Sequence, residues 1–236
     1  MLDVCIRRKA YKAASGLGVE VMRDLQFQVG AAQVVAIMGP SGCGKSTLLR
    51  MIAGLDRDFD GEVTRASHGR IGMVFQEPTL LNWRSVEENI RLVMREGEAD
   101  AGLLDGVLRR MELEAHRGHY PGELSVGLAR RVGIGRALAA CPGLLLMDEP
   151  FASLDGALTT RLQAQIKGEL ELRPTTTLLV THSFDDALRL ADRVLIFSAR
   201  PSRIVADIAL GAEVTGDPAR IAAIKREIED AVGEAG

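Results

Sequence analysis

A chain of 236 residues with 47% hydrophobic and 26% charged side chains has the composition of a soluble globular protein, long enough for one α/β core or one core plus a small subdomain. A net charge of −3 argues against non-specific nucleic-acid binding as the main task. No apolar stretch is long enough to span a bilayer, the N-terminus does not read as a signal peptide, and Cys5, Cys43 and Cys141 lack metal-type spacing, so they read as reduced thiols of a cytosolic protein.

In chain order, the segment to about Val29 alternates polar and apolar residues, with Val19, Val21, Leu25, Phe27 and Val29 on the apolar side, which predicts antiparallel strands. Val34 to Met38 predicts a buried strand, and Ser46 to Ala53 a helix stopped by Gly54. Ile71 to Phe75 is a further short buried strand ending at Gln76. The stretch from Glu77 to about Leu138 reads as mostly helical, with Ser85-Val86-Glu87-Glu88 as a capping-box start and a second helical segment carrying Leu103, Leu104, Val107, Leu108 and Met111. The β pattern returns at Leu144–Met147, Thr177–Thr181 and Val194–Phe197, with helices between, the rhythm of a parallel sheet. A helical block of about residues 77–140 is thus expected inside an α/β core that occupies the whole chain, 1–236. From Asp217-Pro218 onward, Ile221, Ile224, Ile228 and Val232 share one face of a docked C-terminal helix with a plausible N-cap.

Between the Val34 strand and the helix after it lies Gly39-Pro40-Ser41-Gly42-Cys43-Gly44-Lys45-Ser46-Thr47, which fits G-x-x-x-x-G-K-[ST]. Small residues let successive backbone N–H groups curl around a β-phosphate where side chains would block the approach. Lys45 offers a point charge to the β- and γ-oxygens, and the Ser46 hydroxyl is placed to ligate Mg²⁺. The helix that follows turns its free N–H groups and positive dipole end toward the anion. The chain is therefore expected to bind a nucleoside triphosphate.

Leu144-Leu145-Leu146-Met147-Asp148-Glu149-Pro150 is an apolar strand ending in two carboxylates, and active sites of open α/β sheets lie at strand carboxyl ends. Asp148 is the natural Mg²⁺ ligand and Glu149 the base that polarises a water attacking the γ-phosphorus; the plain alternative is two solvated acids at a turn. His182 ends the next apolar strand and could bond the γ-phosphate, or be structural. Gln76 could contact Mg²⁺ or the attacking water, or be a surface amide.

The phosphate loop, Gln76, Leu124-Ser125-Val126-Gly127-Leu128, Met147-Asp148-Glu149-Pro150, Ser153-Leu154-Asp155 and His182 occur in the order seen in nucleotide-binding subunits of ABC transporters, and the resemblance covers nearly the whole chain. It implies an α/β P-loop NTPase core with a mainly parallel sheet, an N-terminal antiparallel β subdomain and an inserted α-helical subdomain. It implies ATP and Mg²⁺ as ligands and two such subunits, most simply two identical chains, paired head to tail around two ATP molecules. Ser125 and Gly127 would then bind the γ-phosphate in the partner's site, and Asp155 would sit at the dimer seam. Tyr11 resembles the residue that stacks on adenine, although an ordinary half-buried tyrosine fits as well. The family's usual signature has glycine where this chain has Val126; that side chain either crowds the phosphate or packs in its own subunit.

Phe75-Gln76-Glu77-Pro78, Leu80-Leu81-Asn82-Trp83-Arg84-Ser85-Val86, Pro150-Phe151 and Arg200-Pro201-Ser202-Arg203-Ile204-Val205 look like the importer subfamily for nitrate, sulfonate, taurine and related small anions. Its partners would be transmembrane permease subunits, with Glu77 to Val86 as the docking surface, and indirectly a solute-binding protein, with no nucleic acid. The chain would work at the cytoplasmic face of the cell membrane, held there by the permease. The alternatives are a soluble ABC ATPase not coupled to transport, and a P-loop kinase, small NTPase or plain nucleotide-binding module. Cys43, beside Lys45 at a helix start, is expected to be the reactive thiol, with Cys5 and Cys141 slow in apolar surroundings.

Overall fold

A computed structural model describes residues 1–12, 18–65, 69–95, 102–152, 154–211 and 218–234. Ser153, Asp217 and the Val232 side chain lie outside the described residues. The chain falls into two compact units, Met1–His68 with Thr176–Gly236, and Gly69–Thr175.

In the first unit, β1 (Leu2–Lys12) lies between β2 (Gly18–Val29) and β4 (Asp60–Arg65), antiparallel to both. The alternation buries Leu2, Val4 and Ile6 of β1 and Leu25, Phe27 and Val29 of β2. β3 (Val34–Met38) is buried on both faces and pairs in parallel with β7 (Thr176–Val180) and β8 (Arg193–Phe197). Such continuous apolar runs are what a parallel sheet covered on both faces requires. β9 (Ile204–Ala209) adds antiparallel to β8. α1 (Lys45–Ala53) leaves the loop after β3, and Gly54, at φ 76, ends it. α6 (Phe184–Leu190) connects β7 to β8. The C-terminal helix α7 (Pro218–Glu234) packs on β8 and β9 and buries Ile224 and Ile228.

In the second unit, β5 (Ile71–Val74) pairs in parallel with β6 (Leu144–Asp148). Between them in sequence come α2 (Val86–Arg91), α3 (Gly102–Arg110), two 3-10 turns and α4 (Val126–Ala139); α5 (Gly156–Leu172) follows β6. Val86 and Ile90 of α2, Leu104, Val107 and Leu108 of α3, and Val132, Ile134 and Leu138 of α4 are among the buried apolar residues of these helices, which pack on one another. The Ser85 capping box is present, its hydroxyl accepting from Glu88 N and Glu88 Oε2 accepting from Ser85 N. The segment expected to be mostly helical is more broken than its pattern suggests, because Pro121 and short Gly-containing turns interrupt it. β4 and β9 were not expected from sequence.

Candidate functional site

In the first unit, the phosphate loop is shaped by backbone conformations that glycine alone adopts cheaply: Gly39 at φ 150, Gly42 at 77 and Gly44 at 119. A Cβ on Gly44 would come within 2.5 Å of Val21 Cγ1, so the loop lies directly on β2. Lys45 is 7% exposed, and its Nζ donates to the Gly39 and Pro40 carbonyls at 2.8 and 2.9 Å, drawing the loop around the ammonium. Ser202, fully buried, donates its hydroxyl to the Cys43 carbonyl and braces the loop from behind. Nothing in the sequence near Ser202 signalled that role. Ser41 and Gly42 are exposed; Pro40, Ser46 and Thr47 are half-buried.

The start of α1 differs from those of α2, α4, α5 and α6. These four begin under Ser85, Ser125, Asp155 and Ser183, whose side chains each accept a first-turn N–H. α1 begins at Gly44 with no side-chain cap and no acid in its first turn. Its first-turn donors and positive dipole end are thereby left for an anion to meet. A triphosphate fits this cradle.

His182 follows β7 and is exposed. Its neighbours are fixed: the Thr181 hydroxyl donates to Asp186 Oδ2 at 2.7 Å and accepts from Ser183 N at 3.0 Å, while Ser183 caps α6. Tyr11 on β1 is 42% exposed, and its hydroxyl donates to Asp56 Oδ2 at 2.9 Å. Burial alone would raise the Asp56 pKa, but hydrogen bonds from Lys9, Tyr11 and the Asp58 amide outweigh it and hold the carboxyl below its usual range.

In the second unit, Gln76 is exposed just after β5. Asp148 is 6% exposed at the end of β6, and Glu149 follows with φ 46, a left-handed conformation unusual for a glutamate. That turn is held by Arg130, whose Nη1 donates to the Glu149 carbonyl at 3.1 Å and the Pro150 carbonyl at 3.5 Å. Burial draws the Arg130 pKa below its ordinary value, opposed by the Glu149 charge. Arg130 was not singled out from sequence, since a lone arginine in a helix carries no pattern.

Ser125 caps α4, accepting from Leu128 N at 3.3 Å. A Cβ on Gly127 would meet Leu158 Cδ2 at 2.7 Å, so α4 approaches α5 closely there. Val126 is 64% exposed, which disposes of the reading that it packs in its own subunit. Asp155 is exposed and caps α5.

The cysteine expectation is overturned. Cys43 is 1% exposed, its Sγ 3.9 Å from Lys45 Nζ, whereas Cys141 is exposed and Cys5 half-buried. The turn after α4 puts Cys141 at φ 45 and swings it out of its apolar sequence neighbours, toward Arg173, whose Nη1 lies 2.9 Å from its Sγ. Maleimide should therefore label Cys141 first and Cys43 last, read by peptide mass spectrometry. Faster labelling of Cys43 would mean that the loop opens readily in solution.

The ABC transporter family model matches residues 22–152. The chain belongs to this family and is its ATP-binding, ATP-hydrolysing cassette. Among curated relatives, aliphatic sulfonates import ATP-binding protein SsuB 2 of Pseudomonas syringae pv. tomato is 38% identical over 216 residues, covering 92% of this chain and 90% of that protein. The SsuB protein of Bacillus cereus is 40% identical over 201 residues, covering 79% of this chain and 77% of its own. A solved dimeric structure of the ATP-binding cassette MJ0796, in a post-hydrolysis state bound to ADP and Pi, matches with a TM-score of 0.79 at 27% identity, over 89% of this chain and 99% of that one.

Proposed function

We propose that this cassette hydrolyses ATP to power import of a small organic anion of the aliphatic sulfonate type, as one of two identical ATPase subunits docked on transmembrane permease subunits at the cytoplasmic face of the membrane. A solute-binding protein would deliver the cargo. The observation that carries the ATP reading is the start of α1, uncapped and seated on glycines that admit no side chain. The cargo reading is supported by relatives named for sulfonate import that match across most of this chain.

Within the phosphate loop Gly39, Pro40, Ser41, Gly42, Cys43, Gly44 and Thr47 would supply the backbone cradle, and Lys45 the charge on the β- and γ-oxygens. Mg²⁺ when bound would neutralise phosphate charge, with Ser46, Asp148 and Gln76 as its ligands. Buried oxygen donors such as Asp148 suit a hard cation. Glu149 would take the proton of the attacking water, and His182 would stabilise charge on the γ-phosphate. Tyr11 would stack on the base. Ser125 and Gly127 would cover the γ-phosphate of the partner subunit's nucleotide, and residues of about 77–140 would form the inserted helical subdomain. Reconstitution with the permease in proteoliposomes tests the whole reading: alkanesulfonate uptake should require ATP and this chain. ATP turnover that ignores the permease, with no uptake, would reject transport coupling.

The loop before α2 is a candidate for permease docking. Trp83 is 73% exposed and so does not cap the core. Its loop is nonetheless ordered by the buried Asn89, which accepts from Leu81 N at 2.9 Å and donates to the Leu81, Arg84 and Ser85 carbonyls. A tryptophan held in water by a rigid loop is an anchor awaiting a partner. Trp83→Ala and Leu81→Asp should leave ATP binding intact and abolish co-purification with the permease; retained co-purification by both variants would remove the loop from the interface.

Val126 would narrow the closure of the ATP sandwich, because a β-branched side chain adds bulk where glycine leaves none. Val126→Gly should raise ATP-dependent dimerisation or turnover and leave ADP affinity unchanged. Little packing is lost from an exposed residue at the first position of α4, so the melting curve should stay close to that of the wild type. Unchanged or lower turnover together with unchanged ATP-dependent dimerisation would reject the throttle.

A further inference from the structure

Against the ring of Tyr11 lies a buried cation that the phosphate chemistry does not use. Lys9 is 1% exposed; its Nζ donates to Asp56 Oδ1 at 2.9 Å and to the Asp58 carbonyl at 2.5 Å. The same nitrogen stands 4.4 Å from the centroid of the Tyr11 ring, while the Tyr11 hydroxyl donates to the other oxygen of Asp56 at 2.9 Å. One carboxylate thus fixes both the ring's hydroxyl and the cation against its face. Taking a lysine out of water is costly, and an apolar side chain would serve the packing of a sheet as well or better. The ammonium also ties down the Asp56–Asp58 turn through the Asp58 carbonyl, and the same turn's carboxylate orients the ring.

Its location connects it to the phosphate loop. Lys9 pairs with Met22 across the sheet, and Met22 Cε is 2.9 Å from where a Cβ on Gly44 would stand. Tyr11 lies two residues further along β1, about 7 Å on. Asp56 is tied to the far end of α1, its N–H donating to the Arg50 carbonyl at 3.2 Å. The helix that starts at the phosphate loop thus ends against the carboxylate that orients Tyr11.

We propose that Lys9 and Asp56 are positioning residues that hold the Tyr11 ring as a platform for the nucleotide base, an inference that rests on Tyr11 being the base-stacking residue. The ammonium draws ring π density toward the covered face, so the outer face stacks more favourably on an electron-rich purine.

The test compares binding of Mg-ATP and of Mg-tripolyphosphate, which has no base, to the full chain by calorimetry. Lys9→Met and Asp56→Asn should each weaken ATP about three- to thirty-fold, the range of a cation–π contact, and leave tripolyphosphate unchanged. Tyr11→Phe keeps the Lys9–Asp56 pair and serves if Lys9→Met fails to fold; it should weaken ATP about two- to tenfold with the same split. In a Tyr11→Ala background, Asp56→Asn should have no further effect on ATP. Equal losses for both ligands would reduce the pair to a structural role and overturn the inference. Unchanged ATP affinity in Asp56→Asn and Tyr11→Phe, with selective loss in Tyr11→Ala, overturns the positioning role alone. A Tyr11→Ala variant that binds ATP normally removes the base-stacking reading itself.

Discussion

Glu149→Gln should bind Mg-ATP with wild-type affinity and lose turnover by about a hundredfold to ten-thousandfold, the usual worth of a positioned general base. Glutamine keeps the shape of the side chain and its ability to accept one hydrogen bond, but it cannot take a proton from water. The backbone should tolerate the change, because the Glu149 carbonyl is held by bonds from Arg130 and from the Ala152 N–H that do not involve its carboxylate. The variant is therefore expected to fold normally and to accumulate as an ATP-bound dimer. Steady-state phosphate release with the permease present, alongside calorimetric ATP binding, separates the two effects. Near-wild-type turnover would take the base assignment away from Glu149. Arg130→Met offers an internal control: it keeps Glu149 but loosens its turn, so it should lower turnover less than Glu149→Gln does.

The parts of this molecule that were legible in its sequence are those where local chemistry leaves one solution. Gly39, Gly42 and Gly44 occupy positive φ, so a loop of that composition between an apolar run and a helix can hardly be anything else. Ser85 and Ser125 announce helix starts because their hydroxyls can satisfy first-turn donors. β4 was hidden because its six residues, Asp60 to Arg65, are mostly polar and lie at an exposed sheet edge, where no alternation needs to be kept. Lys9 was hidden for a subtler reason. β1 buries Leu2, Val4 and Ile6, which would send position 8 inward and position 9 out. The ladder slips between Ile6 and Arg8, the parity reverses, and the lysine goes in. Cys141 shows the same limit: apolar neighbours in sequence say nothing about a residue that a positive-φ turn points at solvent.

Lys45→Ala should abolish nucleotide binding rather than turnover alone. Its ammonium carries three donors; two go to the Gly39 and Pro40 carbonyls, so the side chain both closes the loop and sets a charge inside it. Removing it forfeits at least one charge-assisted bond to phosphate, about 1.5–3 kcal/mol, and frees a loop whose closure must then be repeated on each binding event. Together these predict a loss of at least about a hundredfold in Mg-ATP affinity. Lys45→Met divides the two contributions, since it keeps the buried stem and removes only the charge and its donors. If the loop's shape is set mainly by its glycines, the methionine variant should melt close to wild type and still fail to bind ATP. If Lys45 is the clasp, both variants should melt lower, and the Ser202 hydroxyl behind Cys43 would be left as the brace. Calorimetric titration with Mg-ATP and thermal unfolding of the three proteins decide between these. Retention of wild-type ATP affinity by Lys45→Ala would contradict the phosphate role outright.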